Sequence, residues 1–218
     1  MPDDTLRSLY IERMGDRLGA QFHALCREVA SLHRKWAEFV ELFGTKPSRI
    51  ELLNQAAPNF IGMVEDALFD DTMLHISRLT DRPRVAGKET LTIQNLPSLV
   101  AHPDAEQALV DTAKAKVAMC REQRNRRISH TDLALALNQS AIALPDLDKK
   151  QVDEAIGAIA AVLNAVHLQY LHEDEGLLFD SRPIGWAIAF LQVVYLGVEA
   201  RTHKRNSGQW MAGLSPDL

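Results

Sequence analysis

The ten residues Arg121 to His130, REQRNRRISH, hold four arginines together with Asn125 and His130. Guanidinium groups are permanent cations whose planar forks grip phosphate oxygens, and imidazole exchanges protons near neutral pH. Those parts suit work on a phosphodiester. Cleavage of RNA needs a base for the ribose 2′-hydroxyl, an acid for the departing oxygen and positive charge at the phosphate. Neither a metal nor a cofactor is required.

Spacing limits which groups can act together. Arg124 and His130 are six residues apart, so on one unbroken α-helix they point about 120° away from each other. Either the helix breaks near Ile128, with Ser129 and Asp132 capping a new one, or a second chain completes the site. Arg126 and Arg127 stand four and three residues before His130 and would lie beside it on a continuing helix, which makes them, with Arg121, candidates for phosphate contact. A structural account also exists: arginines at a helix C-terminus complement its macrodipole. That account covers the arginines but leaves the positions of Asn125 and His130 unexplained.

Other chemistry-bearing residues read differently. His75, alone on a half-apolar helix, suits a core or surface position better than a cleft. His167, His172, Glu173 and Asp174 lack a third ligand at useful spacing, so a solvated helix end is expected there and no metal site. Asp70 and Asp71 are adjacent on a helix, point in different directions, and read as a solvated face.

The elements that must position these residues are helical. Ile11, Leu18, Leu25, Leu32 and Phe39 recur every seven residues, and Phe22, Val29, Trp36 and Phe43 form a second column of the same period. This predicts one long helix burying a stripe, with Gly44 as its stop. Ser48 and Glu51 form the pattern of a capping box for a second helix, and Pro58 restarts or kinks it. That pattern continues to Thr80. A loop over 81–90 and a short apolar element over 91–100 lead to a third long helix opened by Pro103 and Asp104 and ending near the arginines. Residues 131–147 are ambiguous between a short helix and an extended connection. A fourth long helix runs from Val152 to Tyr170, and a final apolar helix from Pro183 to about Ala200. The expected architecture is an all-α helical bundle with an additional C-terminal helix, forming a single domain over 1–203, with 204–218 as a flexible tail.

Composition fits that class. The 218 residues are 46% hydrophobic and 24% charged, with 11 glycines and 9 prolines, the balance of a globular chain. Two distant cysteines, Cys26 and Cys120, have no zinc or disulfide spacing, which fits a reducing cytoplasm. The acidic N-terminus lacks the pattern of a signal peptide, and the longest apolar stretch, 184–198, falls short of the roughly 18 residues of a membrane span. Six basic residues and one acidic between Lys114 and Arg127 give that strip +5, leaving −10 on the rest of a chain whose total is −5. Phosphate is therefore admitted at one strip and discouraged elsewhere.

Arg124-Asn125-Arg126-Arg127-Ile128-Ser129-His130 resembles the R-x(4–6)-H motif of the HEPN superfamily, with its polar residue directly after the arginine. Trp36, Phe39, Leu42-Phe43, Leu52-Leu53-Asn54, Ala57-Pro58, Phe60, Asp70-Asp71, Leu74, Ile76-Ser77-Arg78-Leu79-Thr80-Asp81 and Leu91-Thr92 resemble its abortive-infection (AbiU-like) branch, over about residues 30–170. The resemblance implies a HEPN-like bundle that forms a homodimer, in which two motif helices build one cleft. It also implies metal-independent RNA cleavage to a 2′,3′-cyclic phosphate, in phage defence or as a toxin with an antitoxin partner. Arg124 would neutralise the phosphate, His130 would transfer protons and Asn125 would hold the geometry, with Arg78 and Asp81 in support. A catalytically silent module that binds RNA or a partner protein, or a plain helical scaffold, are the alternatives.

Overall fold

The computed structural model describes residues 3–128, 133, 137, 147–171, 177, 179 and 185–207. Contacts group the chain into two compact units, Met1–Trp36 with Leu68–Arg182, and Ala37–Ala67 with Pro183–Leu218. Helices dominate both, as the hydrophobic periodicity predicts.

In the first unit, the helix expected to run unbroken from Ile11 is two helices. Gly15, at φ 80°, takes a left-handed conformation that glycine adopts without steric cost, and it separates α1 (Asp3–Met14) from α2 (Asp16–Phe39). The chain doubles back closely enough that a Cβ on Gly19 would stand 2.6 Å from the Ile11 Cα. The predicted seam of α2 is the core: Leu18, Phe22, Leu25, Val29 and Leu32 are buried. Tyr10 meets Phe22 edge-on at 5.0 Å between ring centroids.

α4 (Pro58–Leu79) adds Met73, Ile76 and Leu79 to this core. The predicted loop after it contains a small antiparallel ribbon, β1 (Arg84–Val85) with β2 (Lys88–Glu89). Its turn is Ala86-Gly87, both at positive φ, the geometry of a tight two-residue hairpin. A 3₁₀ turn, Ile93–Ser98, follows, started by the Thr92 hydroxyl accepting from the Gln94 N–H. The expected third long helix is bent at Val117 into α5 (Pro103–Lys116) and α6 (Ala118–Gln123). Buried Val117 at φ −85° and ψ 0° sits outside α-helical geometry while still accepting the Arg121 N–H at 2.9 Å. α7 (Lys149–Leu171) packs against α5. By length and composition α7 could cross a membrane, yet Val152, Ile156, Ile159, Leu163 and Val166 are buried within this unit.

In the second unit, α2 passes at Val40–Gly44 into a π-helical turn, consistent with the predicted stop at Gly44. α3 (Pro47–Ala56) begins without the expected capping box: Lys46 occupies the cap position with no side-chain bond, and Pro47 opens the helix. Proline supplies a preset φ and lacks the N–H that a cap would have to satisfy, which makes Ser48 redundant. α8 (Trp186–Asn206) starts after Gly185, at φ 89°, and runs past residue 203. Leu191 of α8 meets Leu53 and Ile61 in a small core, and the Ala187 N–H donates to Glu38 at 2.7 Å. The final residues of the expected tail, 208–218, lie outside the described residues.

One buried carboxyl makes the first unit sensitive to pH. Glu106, in the first turn of α5, is 3% exposed, and burial pushes its pKa up to about 7 from an ordinary 4.5. The folded chain therefore holds a proton that the unfolded chain releases between those values, so stability falls as pH rises from 4.5 towards 7. Glu106→Gln is expected to remove roughly 3 kcal/mol of the stability difference between pH 5 and pH 8, measured by urea unfolding at both. An unchanged difference would contradict a proton held at Glu106.

Candidate functional site

α-Helical winding stops at Gln123, and Arg124–Ile128 forms a π-helical turn. Such turns are rare and recur at functional sites because they re-aim side chains within a helix. The arginine segment thus begins at a change of winding, five residues earlier than the break anticipated near Ile128. Ser129, His130 and Asp132 lie outside the described residues.

Asp81, just past the end of α4, faces this turn. Its Oδ1 accepts from Arg121 Nη1 at 2.5 Å, and its Oδ2 stands 3.5 Å from Arg124 Nη1. The second amino group of Arg121 donates to the Thr80 carbonyl and hydroxyl, each at 2.8 Å. Thr80 ends α4 with its hydroxyl bonded back to the Ile76 carbonyl at 3.0 Å. Arg121 therefore spans the frayed end of α4 as a fork, and it spends its donors on this contact. Arg124 is held more loosely. Its Nε donates to Asn125 Oδ1 at 3.0 Å, so the polar residue after the arginine orients it.

The remaining arginines diverge. Arg126 pairs with Glu122 at 3.1 Å, one turn back. Arg127 lies over the Phe69 ring at 5.7 Å and within 4.0 Å of Asp70. Arg121, Asn125 and Arg126 line one open groove of about 610 Å³, with Lys114, Arg82 and Gln94. Arg78 turns away from Asp81 to Glu28, at 3.3 Å. Glu28 also meets His75 Nε2 at 2.9 Å. Burial and the nearby Lys35 charge hold His75 below its ordinary pKa, against the pull of Glu28.

Several sequence readings meet the structure here. His75 is a core residue, 2% exposed. Asp70 and Asp71 do diverge, Asp71 taking Lys35 at 2.6 Å, but Asp70 belongs beside the arginines and not to a plain solvated face. His167 is not at a solvated helix end: it is buried in α7, whose last turns stay packed. His172, Glu173 and Asp174 lie outside the described residues. Burial pushes the Cys120 thiol up to about 11, so it stays protonated and offers no nucleophile. Thr80 and Phe69 were missed by sequence reasoning. Only the Ser-Arg-Leu-Thr-Asp string pointed to the first, and nothing in local spacing pointed to the second.

An all-α scaffold that ties an arginine-rich π turn to an aspartate at the end of another helix defines a bundle with one cationic edge. The HEPN AbiU2 family model matches residues 15–181, and the chain belongs to that family. No curated protein and no solved structure gives a significant match.

The fork geometry at Arg121 yields a direct expectation. Lysine keeps the charge but not the parallel donors, so Arg121→Lys should cost about 1–3 kcal/mol, the range for a charged hydrogen bond left unmade. Urea denaturation would read this, and a change within error would contradict the anchoring role.

Proposed function

We propose that this chain is a metal-independent endoribonuclease of the HEPN class, acting in phage defence or as a toxin. The observation that carries the reading is Arg124, oriented by Asn125 and only weakly engaged by Asp81 at 3.5 Å. A guanidinium held that loosely can turn to a scissile phosphate, while its better-bonded neighbour Arg121 fixes the helix beneath it. Arg126 and Arg127 supply further positive charge along the strand.

In the reaction, a base takes the proton of the ribose 2′-hydroxyl, whose oxygen attacks the adjacent phosphorus. The bond to the 5′-oxygen breaks as that oxygen gains a proton, leaving a 2′,3′-cyclic phosphate and a 5′-hydroxyl. His130 serves in proton transfer, and Arg124 offsets the charge gathering on the phosphoryl oxygens. The six-residue offset between them is met by a homodimer whose two motif segments share one cleft. An antitoxin protein is the partner expected to hold such an activity in check.

The competing reading is a silent module that binds RNA or a partner protein. It is favoured by the same Asp81 carboxylate, which offsets part of the cationic charge. Incubation of total RNA with purified protein in EDTA separates the two. The wild type should cleave, His130→Ala should be slower by roughly 10²–10⁴-fold, and Arg124→Ala by roughly 10²–10³-fold. Intact RNA with folded wild-type protein would contradict the ribonuclease reading.

A further inference from the structure

α8 lies beyond the residues matched by the family model, and one of its faces has no partner among the described residues. Ala187 and Leu191 are buried in its own unit, whereas Trp186 is 71%, Phe190 44%, Val193 70% and Leu196 66% exposed. With Ala189, Gly197 and Ala200, these residues recur at three- and four-residue steps along a single stripe. No charged residue interrupts 186–198. An apolar stripe of this length on a surface marks an interaction site.

Its shape and charge point to the occupant. Side-chain size falls along the stripe, from Trp186 and Phe190 through Val193 to Gly197 and Ala200. A parallel pairing of two copies would set Trp186 on Trp186 and alanine on alanine, splaying one end. An antiparallel pairing centred on Val193 sets Trp186 over Ala200, Phe190 over Leu196 and Val193 over Val193. Large then faces small at even helix separation. A Cβ on Gly197 would meet nothing within 4 Å, so the chain itself leaves room there. The basic end, with His203, Lys204 and Arg205 in its last turn, would crowd its twin in a parallel pair. Antiparallel packing places the two basic ends apart and opposes the macrodipoles. The stripe offers roughly 600 Å² per copy, so a pair buries about 1,200 Å², which reaches the range of specific interfaces.

We propose that α8 is a self-association face that pairs antiparallel with α8 of a second copy about a two-fold axis at Val193. This is independent of the ribonuclease reading, and either can fail without the other. A two-fold contact brings equivalent residues together only near the axis, which makes the register testable. Under mild oxidation Val193→Cys should form an intermolecular disulfide. Tyr195→Cys, exposed but on another side of α8, should not, and Trp186→Cys should cross-link only when mixed with Ala200→Cys. Val193→Glu should halve the mass of the assembly by light scattering while leaving the melting temperature unchanged. A monomeric wild type, a mass unmoved by Val193→Glu, or cross-linking at Val193 no greater than at Tyr195 would each overturn the proposal. The stripe would then belong to another partner or to residues 208–218.

Discussion

The carboxylate of Asp81 is the point on which the candidate site depends. It stands where α4 ends and the chain turns towards the ribbon, and it takes two arginines from a segment more than forty residues further on. Arg121 is bound at 2.5 Å and Arg124 approaches at 3.5 Å. The difference matters. The close pair, backed by the Thr80 carbonyl and hydroxyl, is a fixed joint between two helices, whereas the distant one leaves a cation that a stronger anion can claim. Both groups are half-buried, where a charged hydrogen bond contributes more than on an open surface.

Winding adds a second constraint. The bend at Val117 and the π turn from Arg124 re-aim the end of the third helical segment twice within a dozen residues. A straight α-helix would distribute its arginines at 100° steps without regard to Asp81 or Asp70. Here Arg121 and Arg124 share one carboxylate, Arg127 meets Phe69 and Asp70, and Arg126 turns back to Glu122. The cationic strip legible as +5 in sequence is thus divided among acidic partners of different strength, and the least satisfied member is the one that heads the motif.

Much of this was legible in the sequence because burial imposes a period. The columns through Leu18, Leu25 and Leu32, and through Phe22 and Val29, are the core of α2, and Pro58, Pro103 and Gly44 mark ends that the chain uses. What failed to be legible depends on backbone geometry or distant contact. Gly15 breaks the first helix although the apolar period runs through it. Ser48 and Glu51 have the right spacing for a cap, but Pro47 opens the helix first. His167 follows the packing of α7 and not its closeness to the helix end. At the site, the arginines, Asn125 and Asp81 were named from sequence, but the pairing of Asp81 with Arg121 and of Arg78 with Glu28 required the fold.

The central claim is that Asp81 acts on the phosphate site through the arginines it holds. The most direct measurement is a double-mutant cycle on the RNA cleavage rate with Asp81→Asn, Arg124→Ala and the pair. If Asp81 works by placing Arg124, its substitution should slow the wild type but add little once Arg124 is gone. Losses that simply multiply in the double variant would contradict the account.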